Sequence, residues 1–417
     1  MKQIIVRESY DKICFSPSKE NEHNFLNSLE LSELRSYFSK NKLKNNIQWG
    51  SGELKFVNCA GFVQLSNVSI EIVPKLYMES IESNRKVIVN MLKKTGYLDI
   101  SHSDIVNLKL ENDNLIEIYA YIFSKTLKDE LQKGIYSNYI HREENLNILK
   151  GKLDVKNQIQ NIIKKKPHAY CKYDDFIPDN FLNQILKAIT KLLLFKVKKI
   201  KTLDNLRFCL INFCDVSDIQ LTKFMLNHVK FDRLNCRFHK SFILAKQLFN
   251  SNSVIGGNSK EENIGILFQM NELFEKYIGK ICKDILHENV QLQKSYKKLL
   301  VSSYSNRDFY PLIPDIIINK NNKIKMIIDT KWKKQDNNFF VVREDLFQMY
   351  AYLTRYDDVD TVVVLYPKND EFSGAENTKN KWHLEENENK KIVVSVIDYK
   401  NDMTTTEDLK RIFNAYL

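Results

Sequence analysis

The chain has 417 residues, 43% of them apolar, which is enough for two or three domains with well-formed cores. Its 63 Lys and Arg residues against 52 Asp and Glu residues give a net charge of +11, which suits a polyanionic partner such as DNA. No apolar run reaches the length of a membrane span, the seven cysteines form no CxxC pair and no GxxxxGK[ST] loop occurs, which argues against a membrane protein, a zinc or disulfide framework and a P-loop motor.

The first third of the chain mixes short strands with one helix. A helix is predicted near Leu29 to Lys40. Three apolar runs separated by Asn and Ser turns predict a small antiparallel sheet, at Leu54–Val57, Phe62–Leu65 and Val68–Ile72. We therefore predict a small β-rich domain over residues 1–113.

The middle of the chain, residues 114–257, is predicted to be mainly helical. The clearest helical periodicity lies at Ile116 to Gly134, Asn180 to Lys198 and Lys240 to Asn250. A polar, glycine-marked junction at 250–259 then separates this region from the last one.

Residues 258–417 alternate helices and strands, which predicts an α/β domain and an α+β multidomain protein as a whole. The elements are a helix at Ile266–Ile285, strands at Ile313–Asn319 and Lys323–Trp332, a helix at Arg343–Arg355, and strands at Thr361–Tyr366 and Ile392–Ile397. The polar segment Glu371–Asn389 is predicted to be an exposed loop.

Two successive strands of this domain end in acidic residues whose faces can be worked out by parity. Side chains alternate along a strand, so Asp329 and Lys331 share a face. With a three-residue loop at 320–322, Asp315 lies opposite Ile327 and diagonal to Asp329, within roughly 8 Å. An even-numbered loop would need a bulge to bring both acids to one face.

These residue types suit a magnesium site that cleaves a phosphodiester. Mg²⁺ prefers hard oxygen ligands, which the carboxylates of Asp315 and Asp329 and the backbone carbonyl of Thr330 would supply. The metal activates a bound water, and Lys331 can orient that water or offset charge in the transition state. Neither Pro314-Asp315 nor Asp329-Thr330-Lys331 is specific evidence for such a site by itself, because Asp-x-Lys also occurs at 154–156 and 408–410.

The flanking helices add further candidates. Glu272 and Glu275 lie three residues apart on one helix face and can reach the strand site, although a solvated acidic face is the more common outcome. Gln348 and Tyr352 lie one turn apart on the following helix and can line the same cleft.

Several segments resemble a known family. Pro314-Asp315 with Asp329-Thr330-Lys331 resembles the PD-(D/E)xK nuclease signature, and segments 270–275 and 347–352 resemble the McrC group within it. McrC proteins are the nuclease subunits of modification-dependent restriction systems. The resemblance extends to Gly61–Leu65, Ile70–Lys75, Gly151–Asp154 and Asn183–Lys187, and so covers residues 25 to 355.

The resemblance assigns roles residue by residue. It implies that Asp315 and Asp329 bind the metal and that Lys331 is the catalytic lysine. Glu275 matches the acid of the helix before the core strands, and Gln348 matches the glutamine that lies near metal and DNA. Asp329 stands where Glu is commoner, which shortens the reach of this ligand.

The resemblance also implies partners. McrC relatives work with a separate AAA+ ring that hydrolyses GTP, so residues 1–113 are expected to dock on such a subunit and stimulate it. Recognition of modified cytosine is then expected in the partner. A homodimer through the nuclease region is expected as well, since cutting both strands of DNA takes two active sites.

The leading hypothesis is therefore a Mg²⁺-dependent DNA endonuclease subunit of a 5-methylcytosine-type restriction complex, a type IV-like enzyme for phage defence. Two alternatives remain open: a stand-alone nuclease for repair or defence, and a non-catalytic DNA-binding regulator of an AAA+ motor. A cytoplasmic location is expected, because the N-terminus carries no apolar leader.

Overall fold

The protein is described by a computed structural model over residues 2–15, 23–41, 43–74, 81–98, 114–250, 264–301, 308–333, 341–368 and 378–417. The chain divides into two compact units: Met1–Arg35, Lys42–Leu115 and Leu267–Leu417 form the first, and Ser36–Asn41 and Ile116–Ile266 form the second. The predicted mixture of α and β structure in more than one unit is confirmed. In the ranges given above, no helix has the length and apolarity needed to cross a membrane.

In its described residues, the N-terminal segment, most of which belongs to the first unit, contains short strands and helices. The strands are β1 (Lys2–Arg7), β2 (Ile13–Cys14), β3 (Ile47–Trp49), β4 (Glu53–Phe56), β5 (Cys59–Gln64) and β6 (Val68–Val73), and the helices are α1 (Ser28–Lys40) and α2 (Ile81–Lys94). Two of the three predicted strands, at Phe62–Leu65 and Val68–Ile72, pair antiparallel as β5 and β6. The third was wrongly placed with them, because β4 pairs with β2 and β3 in a separate sheet, and β6 also runs parallel to β1. Every residue of β5 and β6 is buried, which central strands require.

The described residues of the second unit form mainly helices and also a small sheet. Its helices are α3 (Leu115–Leu131), α4 (Val155–Ile163), α5 (Phe181–Leu194), α6 (Ile200–Asn212), α7 (Lys223–His228) and α8 (His239–Asn250). Its strands are β7 (Asn138–Leu146), β8 (Lys152–Leu153) and β9 (Ala169–Ile177), in the order β7-β9-β8. The β7–β9 pair was missed because these strands are polar and half exposed, so they lack a strong apolar pattern.

The C-terminal segment of the first unit carries the remaining elements. The strands are β10 (Ile264–Gln269), β11 (Val290–Leu292), β12 (Lys297–Val301), β13 (Asp308–Leu312), β14 (Ile316–Lys320), β15 (Lys323–Thr330), β16 (Thr361–Pro367), β17 (Thr378–Leu384) and β18 (Asn387–Ile397). The helices are α9 (Met270–Leu286), α10 (Arg343–Arg355) and α11 (Asp402–Tyr416).

Two sequence-based boundaries in this segment are wrong. The helix predicted from Ile266 begins at Met270, since residues 264–269 form β10 and join the N-terminal sheet in the order β1-β6-β5-β10. A short apolar run is compatible with a strand or a helix, and pairing with a neighbouring strand determines which of the two forms. Part of the predicted loop Glu371–Asn389 is β17 and the start of β18, and residues 369–377 lie outside the described residues.

A six-stranded sheet in the order β11-β14-β15-β16-β18-β17 organises this segment. β15, β16 and β18 run parallel, whereas β11, β14 and β17 are antiparallel to their neighbours. The side chains of Ile327, Val362 and Val364 pack with Met349 and Leu353 of α10 in one buried cluster. The sheet and α10 together hold the end of the β14–β15 hairpin, where the candidate residues lie.

Candidate active site

The β14–β15 hairpin brings the two predicted acids to the same end of the sheet. Its turn is the two-residue pair Asn321–Asn322, both with positive φ, instead of the predicted three-residue loop. A bulge between Ile318 and Asn319 compensates for the even loop. The bulge shifts the register by comparison with the predicted one, and Ile316 pairs with Ile328. Extending this pairing by one residue places Asp315 opposite Asp329, so both acids lie on one face.

Asp315 is fixed by the end of the neighbouring strand. Its Oδ2 accepts hydrogen bonds from the backbone N–H of Thr330 at 2.7 Å and from the Thr330 hydroxyl at 2.8 Å. The N–H and carbonyl of one strand residue point to the same neighbour, so the Thr330 carbonyl is directed to the side of Asp315. The Asp315 carboxylate therefore lies beside Thr330, the residue after Asp329, and close enough to Asp329 for its charge to act on that acid.

Lys331 lies between the second acid and the following helix. Its Nζ lies 2.6 Å from Oδ2 of Asp329 and donates a hydrogen bond of 2.9 Å to Oε1 of Gln348. The side chain of Asp329 is 1% exposed, so this carboxylate is almost completely removed from water. The ammonium of Lys331 balances its negative charge in part.

Gln348 is itself held in one orientation. Its Nε2 donates to the hydroxyl of Tyr352 at 2.9 Å, and this hydroxyl donates to the carbonyl of Ile313 at 3.1 Å. The amide oxygen is thereby turned toward Lys331. The helix α10 that carries both residues has the bounds predicted from its apolar periodicity.

Glu275 lies on the other side of Asp315, on α9. Gln293 connects the two acids, because its Nε2 donates to Oε1 of Glu275 at 2.6 Å and its backbone N–H donates to the carbonyl of Asp315 at 3.0 Å. Glu272 is exposed, whereas Glu275 is half buried. The structure thus brings Glu275 to the carboxylates and leaves Glu272 at the surface.

The carboxyl groups of the site have unusual proton affinities. Burial and the charge of Asp315 raise the pKa of Asp329 to about 7, against a usual value of 3.8, although Lys331 opposes this shift. Burial and the charge of Asp315 likewise raise the pKa of Glu275 to about 7. Burial also raises the pKa of Asp315. Negative charge is therefore crowded here, and a divalent cation would relieve it.

The donor set suits Mg²⁺. Within the described part of the chain, no group of three or more His, Cys, Asp or Glu side chains is arranged to hold a metal ion. A bound ion would therefore rely on Asp315, Asp329 and the Thr330 carbonyl, with water completing its shell. Mg²⁺ tolerates one or two carboxylates with several waters, whereas zinc sites use His and Cys ligands, and no described residue that contacts Asp315 or Asp329 is a His or Cys.

Two residues whose contacts support the candidate site, Gln293 and Asp345, could not be inferred from the sequence. Gln293 follows β11 in the chain and reaches the site only through the fold. Asp345 is 5% exposed and accepts hydrogen bonds from Lys333 at 2.8 and 2.9 Å, which ties the start of α10 to the chain beyond β15. Neither residue belongs to a local pattern, since both contacts depend on tertiary structure.

Comparisons with known proteins place the chain in a family. A family model described as McrBC 5-methylcytosine restriction system component matches residues 54–367, a range that includes all of the segments that carried the resemblance. The family predicted from the sequence is confirmed. No curated protein matches the chain.

Solved structures share the fold. A chain of the refined half-complex from the tetradecameric assembly of Thermococcus gammatolerans McrB AAA+ hexamers with bound McrC is 21% identical, with a TM-score of 0.75, and the alignment covers 98% of this chain and 100% of that one. A chain of the cryo-EM structure of the Thermococcus gammatolerans McrBC complex is 24% identical, with a TM-score of 0.54 and coverages of 71% and 90%. At these identities the likeness concerns the fold.

Proposed function

We propose that this chain, which belongs to the McrBC 5-methylcytosine restriction system component family, is the Mg²⁺-dependent DNA endonuclease subunit of a modification-dependent restriction complex. The observation that carries the proposal is the meeting of Asp315, Asp329 and Lys331 at the end of the β14–β15 hairpin. Together with the mixed sheet and its flanking helices, this arrangement supports a PD-(D/E)xK nuclease core.

The residues divide the work of phosphodiester hydrolysis. Asp315, Asp329 and the Thr330 carbonyl would hold Mg²⁺, which when bound supplies Lewis acidity to water and phosphate. Lys331 brings a positive charge to the place where charge develops on the phosphate. Gln348 holds the ammonium of Lys331 in position through its 2.9 Å hydrogen bond.

Glu275 contributes a proton site. Its pKa of about 7 lets the carboxyl group hold or release a proton near neutral pH. Its position beside Asp315 makes it the group suited to take a proton from the attacking water. The neighbouring Gln293 keeps one carboxylate oxygen engaged and so orients the group.

A partner is part of the proposal. The two similar structures are named as McrB AAA+ hexamers with bound McrC and as an McrBC complex. These 417 residues contain no GxxxxGK[ST] loop, which supports nucleotide hydrolysis by a partner. We propose an AAA+ GTPase subunit that this chain stimulates through residues 1–113, and a homodimer through the nuclease region that cuts both DNA strands. The net charge of +11 favours approach to DNA.

The test is DNA cleavage by the chain co-purified with the product of the adjacent gene, with methylated and unmethylated DNA, Mg²⁺ and GTP or ATP. Asp329→Asn is expected to abolish cleavage while leaving complex formation intact. Asp358→Asn is the matched control, since Asp358 is exposed and pairs only with the surface residue Lys323 at 3.1 Å among the contacts described. Unchanged cleavage by Asp329→Asn would reject the proposal, and cleavage without partner or nucleotide would indicate a stand-alone nuclease.

A further inference from the structure

Lys331 lies just beyond the regular part of its strand. β15 ends at Thr330, and the N–H of Lys331 donates one more hydrogen bond, to the carbonyl of Leu365 at 2.9 Å. The position of the ammonium therefore depends on how the chain is held immediately after this point. The next residue, Trp332, is 6% exposed and points to the opposite face of the sheet.

The indole of Trp332 lies in an aromatic cluster. Its ring centroid is 5.3 Å from that of Phe274 and 5.4 Å from that of Tyr399, both in inclined geometries that aromatic pairs favour. Phe274 precedes Glu275 on α9. Trp332 is thus the chain neighbour of Lys331, and its ring contacts Phe274, the residue before Glu275.

Glu8 anchors this indole from the N-terminal sheet. It directly follows β1, its backbone N–H donates to the carbonyl of Val73 at 3.0 Å, and its side chain is completely buried. Its Oε1 accepts the indole N–H of Trp332. A buried carboxylate and a buried indole N–H are each costly without a hydrogen bond, so this bond fixes both groups strongly.

We propose that Glu8 is a positioning residue for the cleavage reaction, acting through Trp332 on Lys331 and Glu275. The inference rests on the proposed function of the Asp329–Lys331 site. The hydrogen bond to Glu8 fixes the position of the indole between the rings of Phe274 and Tyr399. The position of the indole in turn constrains the backbone of the preceding residue, Lys331. A shift of about 1 Å in a catalytic group can lower a rate about 100-fold.

The test compares three variants in the full chain with its partner, with methylated plasmid DNA as substrate. Glu8→Leu and Trp332→Phe remove the bond, and both are expected to lower kcat about 10- to 100-fold with an unchanged KM for DNA. Glu8→Gln keeps an oxygen that accepts the indole N–H and is expected to retain nearly the wild-type kcat. Trp382→Phe is the matched control, because Trp382 packs on the α10 side of the sheet.

The bond itself is read out by hydrogen exchange of the indole N–H groups in NMR spectra. The chain has three Trp residues, so the Trp332 signal is assigned by its loss in Trp332→Phe. We expect slow exchange in the wild type and in Glu8→Gln, and fast exchange in Glu8→Leu. Equal exchange in all three would overturn the proposal.

The outcomes separate this inference from the proposed function. If Asp329→Asn still cleaves, the proposed function fails and the positioning role fails with it. If Asp329→Asn is inactive while folded Trp332→Phe cleaves with the wild-type kcat, the positioning role alone is overturned. Glu8→Gln as slow as Glu8→Leu would also overturn it. Should Glu8→Leu fail to fold, Trp332→Phe and Glu8→Gln decide the question.

Discussion

Replacing Asp329 with Asn is expected to stabilise the metal-free protein above neutral pH. The pKa of Asp329 rises from 3.8 to about 7 on folding, chiefly because of burial and then because of the charge of Asp315. The folded state therefore binds this proton more tightly than the unfolded state. The stabilisation of the folded state by proton binding at Asp329 is fully present below about pH 4 and is lost as the pH rises through about 7.

The size of the effect follows from the change in pKa. One pKa unit corresponds to about 1.4 kcal/mol, so ionising Asp329 costs the folded state up to about 4 kcal/mol at pH 8. Asp329→Asn removes this cost and the ion pair with Lys331 at the same time. We expect a net gain of about 2–4 kcal/mol in the free energy of unfolding at pH 8 without metal, which raises Tm by several degrees.

The measurement is thermal unfolding with EDTA or with excess Mg²⁺, at pH values on both sides of 7. Mg²⁺ is expected to raise the Tm of the wild type above neutral pH and to leave that of Asp329→Asn unchanged, because binding to the folded state stabilises it. Asp358→Asn, an exposed acid of the same segment, is expected to follow the wild type. The reasoning would be refuted if Asp329→Asn were less stable than the wild type in EDTA at pH 8, or if Mg²⁺ stabilised the wild type and Asp329→Asn equally.

Three further predictions concern the site and the core. Lys331→Met should lower kcat about 100- to 1,000-fold by removing charge from the transition state, whereas Lys410→Met, in the other C-terminal Asp-x-Lys sequence, should not change it. Glu275→Gln should lower kcat about 100-fold at pH 8, where Glu275 is mostly ionised, because an amide cannot take the proton of the attacking water. Arg85→Met should lower the free energy of unfolding by about 3–5 kcal/mol in urea, because it leaves Glu71 buried without its two 2.7 Å hydrogen bonds, and Arg85→Met with Glu71→Met should recover most of the loss.

The site hairpin shows what a sequence pattern can and cannot predict. Parity placed Asp315 and Asp329 on one face provided that the loop was odd or a bulge intervened, and the structure has the bulge. The loop length was wrong because Asn321 and Asn322 both adopt positive φ and close a two-residue turn. A bulge between Ile318 and Asn319 leaves no trace in an apolar run, since the residue types on both sides suit a strand.

The helices of the C-terminal segment make a similar contrast. α10 was predicted with its observed bounds from the apolar stripe Leu346, Met349 and Tyr350; Leu346 and Met349 pack on one sheet face, whereas Tyr350 is exposed. The start of α9 was wrong because residues 264–269 satisfy both helical and extended patterns, and their place in the N-terminal sheet decides. The contacts of Gln293 and Asp345 could not be predicted from the sequence either, because only the tertiary structure brings them to their partners, Glu275 and Lys333.

The energetics of the site indicate why its acids are buried at all. Exposed carboxylates would keep ordinary pKa values and cost nothing, but they would bind a divalent ion weakly because water competes with it. Burial of Asp329 costs up to about 4 kcal/mol when it ionises alone, and Lys331 offsets part of that cost because its charge lowers the pKa of Asp329. A divalent ion bound by Asp315 and Asp329 would lower the cost further, and this gain would add to its affinity. We therefore expect that a variant of Asp315, Asp329 or Lys331 with a lower cost of ionisation without metal also binds Mg²⁺ more weakly.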